Sequence, residues 1–212
     1  ASGRLAEVSH IIRVASCRCP QCGKRSRLFP HALVSLTDRK ERQPDSAWLA
    51  CSNGHLYVGP AFTLNECPEC GELVDPGLEY GAGRTYTCAA CGQARPLSEW
   101  MTAGEVRWDP VLVHRMGKGG QELGVPSADE VWQADDDRWH ASSLGAIREA
   151  QETRVLIRHG FVDWADIYPR RQSFVLRAML KEIEEADVDT DVRGALRLAA
   201  WGVAEMAGYL SR

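Results

Sequence analysis

The sequence lacks any long hydrophobic run. Its most apolar segment, residues 194–210, is interrupted by Arg197 and Glu205, which indicates a buried helix of a soluble protein rather than a transmembrane span. No apolar leader for secretion is visible, and this favours a reducing compartment over a disulfide framework. We therefore expect a cytoplasmic protein without a membrane partner.

The sequence also lacks the side-chain patterns of common enzymes. The glycine-rich stretch at residues 117–120 has no Gly-Lys-Ser/Thr ending, so it predicts a hairpin turn and not a phosphate loop. No nucleophile with a matching general base can be assigned. The Cys-x-x-Cys pairs do not end strands of a βαβ pattern, which disfavours redox catalysis. A binding or structural role is favoured over a free-standing enzyme.

Excess positive charge is missing from the chain as a whole, whose formal net charge is −4. The distribution is more informative, because residues 1–42 contain nine basic and three acidic side chains. The remainder is strongly acidic, especially around residues 66–79 and at residues 135–137. If one part of the chain faces an anion, the basic N-terminal part is the better candidate.

What the chain does have is a concentrated series of cysteines. All eight lie between Cys17 and Cys91, and three pairs have the form Cys-x-x-Cys-Gly. Such a turn directs two thiolates at one point, and its glycine permits the required backbone angles. A fourth pair has the form Cys-x-x-x-His. The candidate metal ligands are Cys19, Cys22, Cys51, His55, Cys67, Cys70, Cys88 and Cys91.

The simplest pairing joins neighbours along the chain into two zinc ribbons. Cys67 and Cys70 are expected to share one zinc ion with the pair at residues 88–91. Cys19 and Cys22 are expected to share a second zinc with the pair at residues 51–55, with Cys17 as a competing ligand. Because protein groups fill all four positions of each site, both ions are expected to be structural.

The predicted fold class is therefore α+β. Tandem zinc ribbons, made of small β hairpins, are expected over residues 1–100, and a short β segment followed by a helical region over residues 101–212. The individual expectations are an edge strand at residues 8–16, a helix capped by Ser127, helices at residues 144–159 and 173–186, and a last helix from Thr190 or Asp191 to Leu210.

One stretch resembles a known family. Residues 160–172 read Gly-Phe-Val-Asp-Trp-Ala-Asp-Ile-Tyr-Pro-Arg-Arg-Gln and follow Glu152-Thr153-Arg154. They resemble the large adenine-specific DNA methyltransferases that carry a zinc ribbon between their catalytic motifs. In that family a Cys-Pro-x-Cys ribbon, a strand segment, a stretch of this kind and an alanine-rich helix follow in the same order.

The chain departs from that family where activity would reside. The family holds its target amine with an Asp/Asn-Pro-Pro-Tyr/Phe motif, whereas Asp109-Pro110-Val111 has neither a second proline nor an aromatic residue. A glycine-rich turn for S-adenosylmethionine (SAM) is also missing. The resemblance implies a non-catalytic portion, either an excised insert or a separate subunit, with SAM bound only in a complete parent enzyme.

The resemblance implies double-stranded DNA as a partner, together with a methyltransferase catalytic domain or subunit. The candidate DNA contacts are the basic residues of the first knuckle and the start of the helix after Pro169: Arg18, Lys24, Arg25, Arg27, Arg170, Arg171 and Gln172. The knuckle residues could instead be ordinary solvated charge, and Arg171 and Gln172 could tie the helix to the preceding loop. The alternative function is a protein-interaction module that docks a methyltransferase core or another subunit.

Overall fold

The computed structural model of the protein describes residues 7–37, 45–103, 106–117, 120–134, 139 and 143–207. The fold is mixed α+β, with several antiparallel sheets and a few helices. The chain divides into two compact units, residues 1–132 and 133–212. Within the described ranges, no helix combines the length and the apolar character that a membrane crossing requires.

The strands are β1 (Glu7–Arg18), β2 (Arg25–Arg27), β3 (Leu33–Leu36), β4 (Ser46–Ala50), β5 (Leu56–Pro60), β6 (Asn65–Glu66), β7 (Leu73–Val74), β8 (Thr85–Thr87), β9 (Ala94–Pro96), β10 (Arg107–Gly117) and β11 (Gly120–Gly124). The helices are α1 (Leu97–Thr102), α2 (Ala128–Ala134), α3 (Arg154–Arg158), α4 (Arg170–Glu185) and α5 (Thr190–Ala207). A 3-10 turn at Ala82–Arg84 precedes β8, and another at Trp164–Ile167 precedes α4.

The largest sheet has the strand order β11-β10-β1-β2. The first strand is therefore central, and the expected edge strand at residues 8–16 is wrong. β10 pairs with β1 along almost its whole length, from Met116 opposite Glu7 to Arg107 opposite Ser16. This pairing places the predicted domain boundary at residue 100 inside the first unit, because β10 belongs to the same sheet as β1. The predicted hairpin between β10 and β11 is confirmed, although Lys118 and Gly119 lie outside the described residues.

The short strands form hairpins around the candidate metal ligands. In each hairpin the last residue of one strand pairs with the first residue of the next, and the ligands lie in the turn between them. These closing pairs are Arg18 with Arg25, Ala50 with Leu56, Glu66 with Leu73 and Thr87 with Ala94. The expected return strands around Cys51 are confirmed. The predicted hairpin tip at residues 37–46 falls largely on residues 38–44, outside the described residues.

The core of the first unit is small and contains the ligands themselves. Leu49 is fully buried in a cluster that includes Cys51 and Cys67. A second cluster joins β1 to β10 through Val14 and Val111. Because thiols occupy positions where larger apolar side chains would otherwise pack, hydrophobic burial alone gives this unit modest stabilisation.

The expected N-cap at Ser127 is confirmed. The Glu130 amide donates to the Ser127 hydroxyl at 3.3 Å, and the Glu130 carboxylate accepts from the Ser127 amide at 2.7 Å, which is a capping box. Arg115 of β10 donates to the same carboxylate at 2.6 Å and 2.7 Å. This ion pair lowers the pKa of Glu130 to about 2 and anchors α2 to the sheet. The acidic run at residues 135–137 lies outside the described residues.

In the second unit, the predicted helix at residues 144–159 is wrong. Only Arg154–Arg158 are helical, because the preceding residues make tertiary contacts to Asp163. Leu144 donates its amide to the Asp163 carboxylate at 2.9 Å, and Ala146 forms a β bridge with Asp163. Gly145 has φ +113°, which is incompatible with an α-helix.

The two long helices of the second unit are confirmed as helices. α4 begins directly after Pro169, as expected, and packs against α5 with Arg197 and Glu184 paired at 2.6 Å. The cap of α5 differs from the prediction, because Asp189 accepts from the Val192 amide at 2.9 Å in place of Thr190 or Asp191. The predicted end at Leu210 lies outside the described residues.

Candidate functional site

The structure collects all eight predicted metal ligands into two groups of four. In each group, the candidate ligand atoms lie within 4.8 Å of one another. One group, here called the outer group, consists of Cys19, Cys22, Cys88 and Cys91. The other, called the inner group, consists of Cys51, His55, Cys67 and Cys70. Each group could hold one metal ion.

The pairing of the knuckles differs from the one expected from chain order. The first knuckle joins the fourth, and the second joins the third, so the inner group lies within the loop that the outer group closes. Long-range strand pairing explains the difference. β10 follows the fourth knuckle and pairs with β1, which precedes the first knuckle, so the chain after the fourth knuckle returns to the strand that leads into the first. Two ribbons in sequence are therefore replaced by one nested arrangement.

The distances between ligand atoms fit a four-coordinate ion. With metal–sulfur bonds of about 2.3 Å, the sulfurs of a tetrahedral site lie about 3.8 Å apart. The Sγ atoms are 3.8 Å apart for Cys19 with Cys91 and also for Cys22 with Cys88. In the inner group, Nδ1 of His55 lies 3.5 Å from Cys51 Sγ and 3.8 Å from Cys67 Sγ. The donor chemistry and the spacing thus both suit a thiolate-binding metal.

Backbone geometry at the knuckles supports thiolates. The glycine that ends each Cys-x-x-Cys-Gly turn has φ of 71° or 72°, a region that glycine enters without strain. A backbone amide at Glu72 lowers the pKa of Cys70 to about 7. Burial, in contrast, raises the pKa of Cys51 to about 12, so this thiol would not ionise at neutral pH without a cation beside it. Metal binding should therefore release protons from the inner group.

Cys17 belongs to neither group. Its side chain is fully buried on the sheet face opposite Arg25 and Arg27, and its Sγ lies 3.9 Å from the Met101 sulfur. Burial raises the pKa of the Cys17 thiol to about 11. Cys17 therefore packs as a small apolar side chain, and Cys19 takes the ligand position for which the two competed.

Glu72 was not identified from the sequence, but it connects the two halves of the inner group. Its carboxylate accepts from the Ser52 amide at 3.1 Å, from the Ser52 hydroxyl at 2.9 Å and from the Asn53 amide group at 3.3 Å. Asn53 Nδ2 also lies 3.5 Å from Cys70 Sγ. These contacts hold the turn that carries Cys51 against the third knuckle, which is the role of an outer-shell partner in metal sites.

We expect Glu72→Gln to weaken metal retention in the inner group by about 10- to 100-fold. Glutamine keeps the shape of the side chain but removes the charge that strengthens the three hydrogen bonds. The measurement is the rate of metal transfer to a chromophoric chelator. Glu69→Gln, between the two ligands of the same knuckle, is the charge-matched control. Accelerated release of both ions, or equal rates in the two variants, would contradict this role.

The sheet also builds a basic face beside the outer group. Directly opposed residues of antiparallel strands project to the same side. Arg27 and Arg107 both oppose Ser16, and Arg25 opposes Arg18, so four arginines from three strands share one face. Asp109, opposite Val14, is the acidic residue on this face. We call the set Arg18, Arg25, Arg27 and Arg107 the arginine face.

The other predicted DNA contacts are more dispersed. Lys24 is exposed in the turn that leads into β2. Arg170, Arg171 and Gln172 are all exposed in the first turn of α4, in the second unit. Within the described residues, neither Arg171 nor Gln172 makes the side-chain hydrogen bond to the preceding loop that was considered as an alternative. Arg39, Lys40 and Arg42 lie outside the described residues.

Sequence reasoning missed Arg107 for a clear reason. It lies far from the basic N-terminal segment and joins the arginine face only through the register of β10 on β1. Only knowledge of the long-range pairing of β10 with β1 would have placed Arg107 beside the other three arginines.

Comparison of the chain with known protein families, with curated proteins and with solved structures finds no match.

Proposed function

We propose that this chain is a zinc-stabilised module that binds duplex DNA, and that it serves as a non-catalytic portion of an adenine-specific DNA methyltransferase. The arginine face carries the DNA-binding part of the proposal. The two metal groups supply rigidity, because each is filled by four protein ligands and has no position for substrate. The methyltransferase context is supported by the resemblance at residues 160–172.

Zinc is the metal that best suits the ligand sets. Four thiolates, or three thiolates and one imidazole, are typical of structural zinc and disfavour calcium or magnesium, which prefer oxygen ligands. One zinc ion would fix the first hairpin turn to the fourth, and the other would fix the second to the third. The first knuckle of the outer group lies in the turn between β1 and β2, two strands that carry arginines of the arginine face. A zinc ion in this group would therefore hold those arginines in position and take no part in chemistry.

Phosphate binding follows from the chemistry of the arginine face. Guanidinium groups contact phosphate oxygens through several N–H donors, and phosphate contacts provide most of the non-specific affinity for DNA. Arg18, Arg27 and Arg107 are exposed, and Arg25 is half-buried. Four arginines with a single aspartate give this face an excess of positive charge in a chain whose formal net charge is −4. Charge is thus segregated on the surface where a polyanion would bind.

The first turn of α4 supports a second DNA contact. Arg170 and Arg171 add positive charge where the helix dipole is already positive, and no acidic residue lies in that turn. The preceding residues form a fixed corner, because Asp166 accepts from the amides of Val162 and Asp163 at 3.0 Å and 2.9 Å. The stretch that carries the family resemblance therefore presents its arginines from a defined position.

Replacing the four arginines of the face by glutamine should abolish most binding to a mixed-sequence duplex of about 20 base pairs. The slope of log affinity against log salt should fall by about one unit for each lost phosphate contact, or about four in total. The measurement is fluorescence anisotropy over a range of salt concentrations. Zinc content and circular dichroism of the variant would verify that the fold is retained.

A matched control removes four positive charges from the second unit, at Arg148, Arg154, Arg158 and Lys181. This variant should retain the parent slope to within about one unit, because these residues are outside the arginine face. Equal slopes in the parent and the arginine-face variant would contradict the proposal and favour the protein-docking alternative.

One observation favours that alternative as the second candidate. α5 exposes several large apolar side chains, including Leu198 at 74% and Trp201 at 66% of their full accessibility. Exposed apolar surface of this kind is typical of protein contacts. We therefore retain docking to a methyltransferase catalytic domain as the second candidate function, carried by α5 and compatible with DNA binding by the first unit.

A further inference from the structure

An open cavity of about 270 Å³ lies between the arginine face and the turn that follows Cys51. Its wall combines residues of the three strands with residues of the inner metal group's turn, although these segments are far apart in the sequence. The lining residues are Ser16, Arg25, Ser26, Arg27, Asn53, Gly54 and Asp109. The volume is below the usual range for drug-sized ligands, which suits a single phosphate and its immediate substituents.

The two arginines of the cavity are held in place by other groups. Arg25 Nη1 donates to the carbonyl oxygen of Ser16 at 2.6 Å. Arg27 Nε donates to the Asp109 carboxylate at 3.2 Å. A guanidinium has five N–H donors in a planar fork, so it can keep such a partner and still contact a phosphate oxygen. Fixed arginines lose less conformational entropy on binding than mobile ones.

The opposite wall is fixed by the inner metal group. Asn53 Nδ2 donates to Cys70 Sγ at 3.5 Å and to the Glu72 carboxylate at 3.3 Å, so its side chain is held by the inner group. Gly54 has φ +83°, and a β carbon at this position would lie 3.4 Å from Cβ of Arg27. The positive φ is what favours glycine here, since a β carbon at that distance would make only an ordinary van der Waals contact.

We propose that this cavity is a phosphate-binding site and that it receives one backbone phosphate of the bound nucleic acid. The inference rests on the proposed function and deepens it, since it assigns Arg25 and Arg27 to one phosphate and gives the inner metal group a part in forming the site. Two guanidinium groups converge on the cavity, and a phosphate offers oxygens for both. Free phosphate shares this chemistry, so the test distinguishes the two sources.

Asp109 allows the proposal to predict the direction in which a substitution changes the affinity for DNA. Its carboxylate orients Arg27 but also repels a phosphate in the same cavity. Asp109→Asn should therefore increase affinity for duplex DNA about fivefold at low salt, because one nearby negative charge is removed. Arg27→Gln should reduce affinity and lower the salt slope by about one unit. A purely structural role for Asp109 predicts the opposite result, a loss of affinity when its contact with Arg27 is weakened.

The experiment measures binding of the whole zinc-loaded chain to the fluorescent 20-base-pair duplex, with inorganic phosphate as a separate competitor. Glu122→Gln is the matched control, because it removes the same charge from an exposed position on β11. It opposes Arg115, six residues along β10 from Asp109 and hence about 20 Å away. This control should change affinity less than twofold.

The outcomes separate the site from the proposed function. A parent protein that fails to bind the duplex at low salt would overturn the proposed function itself. Salt-dependent binding that is unchanged or weakened by Asp109→Asn would overturn the phosphate site and leave the function intact. Competition by millimolar phosphate without any effect of Asp109→Asn or Arg27→Gln on DNA binding would assign the cavity to free phosphate and overturn its DNA role.

Discussion

Removal of both metal ions is expected to unfold the first unit and to leave the helices of the second unit formed. Both ligand groups found among the described residues lie in the first unit, and their cysteines form part of its core. Structural zinc contributes about 10–16 kcal/mol in small domains, which is comparable to the whole stability of a typical domain. Without the ions, the four short hairpins have too little apolar burial to persist.

A strong chelator, added at neutral pH under reducing conditions, provides the measurement. Near-ultraviolet circular dichroism and tryptophan fluorescence should report the loss of packing around Trp100, which is fully buried in the first unit. Helical circular dichroism at 222 nm should persist in large part, because α4 and α5 contain no ligand of either group. Restoration of the ions should reverse the change. Retention of the Trp100 signal in metal-free protein would contradict a structural role for the metals.

Replacement of Cys67 and Cys70 by serine is expected to remove one ion and to leave a site with four thiolates. The nested arrangement leaves the outer group complete in this variant. Pairing in chain order would instead leave Cys19 and Cys22 with Cys51 and His55, a site with three thiolates and one imidazole. Cobalt substitution distinguishes the two, because the intensity of the sulfur-to-cobalt charge-transfer band increases with the number of thiolate ligands.

The reciprocal variant, with Cys19 and Cys22 replaced by serine, serves as the control. It should retain the inner group and therefore give the spectrum of three thiolates and one imidazole. The two variants thus exchange their predicted spectra if the pairing follows chain order. A four-thiolate spectrum from this variant would contradict the nested pairing directly.

The identity of the ligands could be predicted from the sequence because the relevant geometry is local. A Cys-x-x-Cys-Gly turn contains its own glycine and both of its sulfurs, and the structure places all three such turns at the tips of hairpins. The strands around Cys51 and the cap at Ser127 were predictable for the same reason. In each case a few neighbouring residues determine the conformation.

The pairing of the knuckles could not be predicted in this way. It depends on the register of β1 with β10, which joins residues 91 to 109 positions apart. Neighbouring ribbons along the chain were the economical assumption, and tertiary pairing overrides it. The helix expected at residues 144–159 failed for a similar reason, since Asp163 captures backbone groups that a helix would have used internally.

The arginine face likewise combines residues that could be predicted from local sequence with residues that only long-range pairing brings together. The basic character near the first knuckle was visible in the sequence, and Arg18, Arg25 and Arg27 do share a face. Arg107 and the wall formed by Asn53 and Gly54 come from distant segments, which only the folded chain brings beside the first knuckle. Charge composition locates a surface only approximately, whereas strand register decides which side chains meet on it.

The nested order of the metal groups also dictates a sequence of events during translation. The ligands of the inner group span residues 51–70, so all of them leave the ribosome before the ligands at residues 88 and 91 do. The first knuckle must wait for these later ligands, and for β10 beyond them, before its sheet can form. At about 5–20 residues per second, this wait lasts a few seconds. During that time Cys19 and Cys22 have no partner ligands from the fourth knuckle. A metal ion bound early by the inner group would occupy the thiols of Cys51, Cys67 and Cys70, which would otherwise compete for a metal ion bound by the first knuckle.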